Sequence, residues 1–292
     1  MPGAPGGGNP HLVALEPALT AAGGTISVWY GPVAGPPSYT RNPDTPHYPA
    51  STTKLAVLAA AYRLADAGSL NLDEAVAVHD EFVSAAPGAP PFRVTAEYDS
   101  DSSVWARLGS TASLRWLARR MIVVSSNLAT NLVLEHTGYA AATEAWRAAV
   151  TDSVGGGAAV SVVQRGIEDY AGRDAGRDNL VTAADLAALL SAIATGRIAS
   201  PSACDEMREL LLGQQKNDDL PTGLPPGTPV AHKNGWVDGI RHDAAIVYPP
   251  DTPPYVLVAC LSTARGDEQM RHLMRRIAAA SWADRHALGS GL

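Results

Sequence analysis

The sequence predicts an α/β protein in which an antiparallel β-sheet, flanked by N- and C-terminal helices, is interrupted by an inserted all-helical lobe. Three observations predict it. Apolar residues recur at helical spacing through the middle of the chain, at Leu55, Leu58, Ala59, Tyr62 and Leu64, and again at Leu114, Leu117, Ala118 and Met121. Nearer the two ends the pattern is strand-like, over 25–30, 228–233, 240–248 and 255–262. A helical segment at 11–22 opens the chain and an amphipathic one at 268–285 closes it. That order brings strands from both chain ends into one sheet and leaves the middle as a second lobe. The expected division is 10–48 with 214–292 for the sheet lobe and 49–213 for the helical lobe, with a pocket where they meet.

Residues 1–9 form a Gly/Pro leader expected to be disordered. Strands Thr25–Tyr30 and Ser38–Arg41 flank a Gly-Pro-rich turn. Pro49 marks a boundary, so Ser51 is expected at the N-terminus of a helix that breaks at Gly68. Residues 80–110, rich in Ala, Pro, Ser and Asp, predict a long irregular excursion, and that length points to the rim of a site. Thr111 opens a further helix, Val123 to Asn127 form a short connection, and the next helix stops at Gly138. Gly155 to Gly157 are a flexible loop without the following lysine of a phosphate cradle. Thr182 with Asp185 reads as a capping box, and Pro201 starts a helix that runs to Gly213. The three late strands and the closing helix follow.

A formal net charge of -7 gives no basic footprint, which excludes nucleic acid or an anionic membrane as the expected partner. Apolar runs are too short to span a bilayer, and MPGAPGGGNP lacks the regions of a secretory signal. The expected location is the cytoplasm, although a secreted chain trimmed of its leader would read the same. Cys204 and Cys260 are expected as packed thiols, and the eight histidines have no ligand spacing, so neither metal nor cofactor is expected. The oligomeric state is not legible.

The chemistry lies in three short motifs. Lys54 stands one helical turn after Ser51, on the same face, where an amine can take the proton of an otherwise weak nucleophile. Unpaired amides at the helix start favour negative charge beside it. A bare Ser-x-x-Lys describes a capping serine and a solvated lysine equally well. Two further motifs narrow the choice: Ser125-Ser126-Asn127 between helices, and His232-Lys233-Asn234-Gly235 at a strand end. Together they supply a nucleophile, an adjacent amine, a second hydroxyl, an amide and a second ammonium, the parts that acyl transfer requires. Gly235 would let the strand backbone approach a substrate, and the amides of Trp236 and Ser51 could form an oxyanion hole.

In these motifs the chain resembles the penicillin-recognising serine enzymes, the class A β-lactamases and penicillin-binding D,D-peptidases, over most of 11–285 in order and spacing. The resemblance implies a β-lactamase/transpeptidase-like fold and an acyl substrate, either a small molecule or a peptide. It makes Ser51 the acylated nucleophile, Lys54 its proton acceptor and Ser125 a proton shuttle. Asn127 becomes a contact for the substrate amide, and Lys233 an anchor for Ser125 and the substrate carboxylate. Ser126 stands where the family keeps an aspartate, and Asn234 where it keeps a threonine or serine that binds the substrate carboxylate, a place where its amide still offers a donor. Arg241 is a candidate replacement partner for the carboxylate; a solvated charge is the other reading. The family's Glu-x-x-Leu-Asn pattern is absent from 164–182, where Glu168 and Asp169 are offered instead, each as a deacylating base or a loop-fixing residue, and Asn131 is retained. Trp236 and Trp105 are the tryptophans placed to line the cleft. The implied function is a serine hydrolase acting through a Ser51 acyl-enzyme. Alternatives are an intracellular esterase, amidase or acyltransferase on the same fold, or a penicillin-binding pseudoenzyme or sensor that acylates without efficient turnover.

Overall fold

The computed structural model describes residues 8–151 and 157–289. Helices α1 (Pro10–Ala14) and α2 (Glu16–Ala22) precede strands β1 (Thr25–Pro32) and β2 (Tyr39–Arg41). One helix was expected here and two form, because Pro17 near the start of α2 has no N–H to continue the ladder. The expected leader falls mostly outside the described residues. Its last residue departs from disorder: Asn9 is buried and donates to the Ser38 carbonyl and hydroxyl, each at 2.8 Å.

The late strands β7 (Val230–Val237), β8 (Ile240–Val247) and β9 (Tyr255–Ser262) complete a five-stranded antiparallel sheet in the order β2-β1-β9-β8-β7. Strands from the two chain ends therefore share one sheet, as the sequence predicts. Both faces of that sheet are covered. Val256, Val258 and Cys260 of β9 pack with the helical middle of the chain, while Leu257, Ala259 and Leu261 pack with α1, α2 and the last helix. Burial on both faces explains why 255–261 reads as a continuous apolar run, unusual for an antiparallel strand with one wet face. β7 lies at an edge, which turns toward the site.

A 3₁₀ turn (Ala50–Thr53) leads into α3 (Lys54–Asp66), an alanine-rich helix buried from Lys54 to Tyr62. The 80–110 excursion is less irregular than expected. β3 (Ala75–Ala77) pairs with β6 (Thr111–Ser113) to form a neck; inside it β4 (Glu81–Phe82) pairs with β5 (Phe92–Arg93), and α4 (Ser102–Trp105) follows. Thr111 consequently sits in a strand and does not open a helix. α5 (Leu114–Val123) starts after Ser113, whose hydroxyl caps it by accepting from Trp116 N at 3.2 Å.

Helices α6 (Asn127–Thr137), α7 (Tyr139–Thr151), α8 (Tyr170–Asp174), α9 (Ala183–Ala194) and α10 (Pro201–Leu212) complete the middle, and α11 (Asp267–Asp284) closes the fold. The glycine loop expected at 155–157 lies almost wholly outside the described residues. Thr182 caps α9 as expected, accepting from Asp185 N at 3.1 Å. Asp185 does not complete the capping box: its carboxylate accepts from Val160 N and Ser161 N, at 3.0 and 2.7 Å. Cys204 and Cys260 are free and buried. No helix among the described residues is long and apolar enough to cross a membrane.

Candidate active site

Ser51 sits in the 3₁₀ turn rather than in the first turn of an α-helix, and Ala50 before it has φ of 46°, a conformation that a residue with a Cβ rarely adopts. Such strain persists only where the surroundings over-determine it. One restraint is His242 of β8. Its Nε2–H donates to the Tyr48 carbonyl at 2.9 Å while its Nδ1 accepts from Leu261 N at 3.1 Å. Burial lowers this imidazole to about 4, so it stays neutral and ties the loop ahead of Ser51 to the sheet.

The first and second motifs meet at Lys54. Its Nζ is fully buried and donates to the Ser125 carbonyl at 2.7 Å, the Ser125 hydroxyl at 3.2 Å and Asn127 Oδ1 at 2.9 Å. Ser125 adopts φ of 69°, a second left-handed non-glycine residue at the site. All three acceptors are neutral. Burial pushes the Lys54 ammonium well below the usual lysine range, and the charge of Lys233 pushes the same way, against the pull of Asp99 and Glu168. The shift is toward the neutral amine, the form that can accept a proton.

The third motif closes on the first through Gly235. A Cβ at this position would lie 2.4 Å from Ser51 N and 3.0 Å from Thr52 N, so only glycine lets the β7 backbone come this close. Its neighbour Lys233 is buried, donates to the Asn234 carbonyl at 2.7 Å, and is lowered to about 7 by burial, against Asp243 and Asp219. Trp236 stands at the sheet edge with 40% of its surface exposed, enough to contact a ligand.

Glu168 and Asp169, adjacent in the chain, do different work. The Asp169 carboxylate accepts from Gly172 N at 2.9 Å, capping α8, and from Ser84 Oγ and Ala85 N, each at 2.7 Å. It is a loop-fixing residue. Glu168, at φ of 67°, accepts from Thr95 N at 3.1 Å and Thr95 Oγ1 at 3.2 Å through Oε2 alone. Its Oε1 is buried and has no hydrogen-bond partner among the described residues. Burial raises the pKa of this carboxyl, while the Thr95 donors and the Asn127 side chain favour its ionised form. The segment is held by Asn131, which donates to Ile167 O at 2.9 Å and accepts from Ile167 N at 2.8 Å.

Two expected carboxylate binders lie elsewhere. Arg241 is neither free in the cleft nor solvated: it is buried, donates to Asp219 Oδ1 at 2.6 Å and pairs with Asp267. Asn234 directs its amide to Asp219 Oδ2 at 2.8 Å and Lys216 O at 3.0 Å. A buried guanidinium recruits the carboxylates around it, and this one draws in the strand's polar side chain as well. Trp105 reaches the site only indirectly, through an indole N–H to Asp99 Oδ2 at 3.0 Å.

Sequence reading missed Asp99, Thr95, Tyr98, Asp219 and His242. No local pattern marks them, since each meets its partner across a long stretch of chain. Among the described residues no group of three or more His, Cys, Asp or Glu is arranged to hold a metal ion.

A family model described as the beta-lactamase enzyme family matches residues 13–284. Of the solved structures, a beta-lactamase from Sphaerobacter thermophilus DSM 20745 superposes with a TM-score of 0.76 at 23% identity, covering 94% of this chain and 97% of that one. PBP-A superposes at 0.74 with 21% identity over 94% of each chain. An ancestral (GNCA) class A beta-lactamase gives 0.76 at 21% identity, over 94% of this chain and 99% of that one. At such identities the likeness is one of fold. Among curated proteins nothing matches.

Proposed function

The chain belongs to the beta-lactamase enzyme family, and from that premise we propose that it is a serine hydrolase that opens a lactam or amide through a Ser51 acyl-enzyme. Lys54, in its neutral form, takes the Ser51 proton as Oγ bonds to the substrate carbonyl carbon. The oxyanion is held by the N–H groups of Ser51 and Trp236, and losing one such donor costs about 10²–10³ in rate. Ser125 gives its hydroxyl proton to the leaving nitrogen as the C–N bond breaks, and recovers one from the Lys54 ammonium, 3.2 Å away. Asn127 holds the substrate amide, and Lys233 anchors a substrate carboxylate. In the second half, Glu168 Oε1, which has no hydrogen-bond partner among the described residues, accepts a proton from water as the water oxygen bonds to the acyl carbon; the bond to Ser51 Oγ breaks and that proton passes from Glu168 to Oγ, restoring the serine and the carboxylate. The observation that carries this reading is Lys54 itself, a buried amine bonded only to neutral oxygens of the second motif.

The bonds made by Arg241 and Asn234 favour a second reading, an esterase, amidase or acyltransferase on the same fold. With both groups turned to Asp219, a substrate lacking a carboxylate forfeits little. A chromogenic cephalosporin followed by intact-mass measurement separates the possibilities. Rapid colour with no lasting adduct supports lactam hydrolysis. A stable Ser51 adduct without turnover marks a penicillin-binding protein that lacks a working deacylation base. Neither outcome, together with cleavage of activated esters, supports the second reading. Full activity in Ser51→Ala would overturn all of them.

A further inference from the structure

We propose that Asp99, carried by the 80–110 excursion, is a positioning residue for acyl transfer: it supplies from outside the second motif the carboxylate that Ser126 does not, and holds Ser125 and Asn127 in register with Lys54. The proposal rests on the hydrolase reading above. Asp99 Oδ2 accepts from Ser126 Oγ at 3.0 Å, from Leu128 N at 2.8 Å and from Trp105 Nε1 at 3.0 Å. Its Oδ1 accepts from Asp101 N at 3.0 Å. Ser126 in turn accepts from Ala129 N at 3.1 Å, so the start of α6 is tied by a hydroxyl and a carboxylate in series. Beside them, the Tyr98 carbonyl accepts from Asn127 Nδ2 at 3.0 Å, which leaves Asn127 Oδ1 directed at Lys54.

The support behind Asp99 is firm. Asp101, buried two residues on, accepts from Arg120 Nη2 of α5 at 2.8 Å. The excursion is thereby fixed to α5 on one side and delivers its carboxylate to α6 on the other. Lys54 has no carboxylate among its hydrogen-bond partners, yet Asp99 contributes negative charge to its surroundings. One residue thus sets both the geometry of the second motif and part of the field on the amine.

The test compares Asp99→Asn, Asp99→Ser and the exchange Asp99→Ser with Ser126→Asp, reading Ser51 acylation by a chromogenic cephalosporin against pH. In Asp99→Asn the acylation rate should fall about ten- to a hundred-fold with a smaller change in KM, the range expected when charge-assisted hydrogen bonds are lost. The limb on which activity rises with pH should move to lower pH, because removing a negative charge makes Lys54 easier to deprotonate. The exchange should recover most of what Asp99→Ser loses. A merely structural role would lower the melting temperature but leave the rate per folded molecule and the pH limb unchanged, and that result overturns the proposal. An exchange variant that folds and is no faster than Asp99→Ser overturns it too; if the exchange does not fold, Asp99→Asn decides alone. Should the parent protein neither release colour from the cephalosporin nor form an adduct with it, the hydrolase reading of lactams fails separately. The same variants are then compared by the rate at which an alkyl fluorophosphonate labels Ser51, with the same expected and overturning results.

Discussion

Lys54 and Arg241 are both buried cations, and their surroundings assign them opposite work. Arg241, 1% exposed, lies between Asp219 and Asp267 and also draws Asn234 into the group. Lys54, 0% exposed, meets two oxygens of Ser125 and one of Asn127, none of them charged. Removing a charge from water costs several kcal/mol unless a counter-charge offsets it. Arg241 has its counter-charge and remains a structural cation. Lys54 lacks one at bonding distance and responds by giving up its proton readily. The lesson is that burial alone does not distinguish a held cation from one biased toward its neutral form; the formal charge of the nearest acceptor does.

Tests on four cations would break or sharpen that contrast. Lys54→Met should slow Ser51 acylation by about 10²–10⁴-fold, the span of a general base, without lowering the melting temperature. Loss of stability with retained acylation would reverse the roles assigned here. Arg241→Met should do the opposite: it strands the Asp219 carboxylate in the interior, and urea denaturation should register about 3–5 kcal/mol lost while the rate per folded molecule changes little.

Lys233 falls between the two, buried near Asp243 and Asp219 and lowered to about 7. It is charged below that pH and neutral above it, so KM for a carboxylate-bearing substrate should rise as pH passes about 7, while KM for a neutral ester stays level. The same depression has a stability sign. Between about 7 and the ordinary value of 10.5 the unfolded chain holds a proton that the folded one does not, so this group's contribution to stability increases with pH. A stability profile over that window that Lys233→Met leaves unchanged would discount the depression. The smallest effect belongs to an exposed cation. Arg93 bonds Asp80 and Glu81 at the surface, and Arg93→Ala should leave both melting temperature and turnover unchanged, since solvent screens such pairs.

Some of this was readable in advance. The antiparallel sheet drawn from both chain ends follows from periodicity, and the three ordered motifs stand out through their resemblance to those of the penicillin-recognising serine enzymes. Gly235 reads in sequence as a point where the strand can approach a substrate; the close approach that its missing Cβ permits in the structure is to the backbone of Ser51 and Thr52. The single N-terminal helix and the helix start at Thr111 were misread for one reason: a local pattern does not reveal a competing partner. Pro17 interrupts one ladder, and Ala75–Ala77 captures Thr111–Ser113 into another. Arg241 reads as a free cation in sequence because Asp219 and Asp267 lie more than twenty residues to either side of it.

What the sequence by itself determined is whatever depends on residues close along the chain: helix and strand periods, the Ser51–Lys54 spacing, the cap at Thr182. Tertiary structure decided which charges meet. It brought Asp99 to Ser126 across 27 residues and Glu168 to Thr95 across 73, and it turned Asn234 away from the cleft toward Asp219. The physical reason is range. Backbone geometry repeats every two or 3.6 residues and leaves its trace in composition, whereas an ion's partner is set by which segments desolvate it together, and that is known only once the chain has closed on itself.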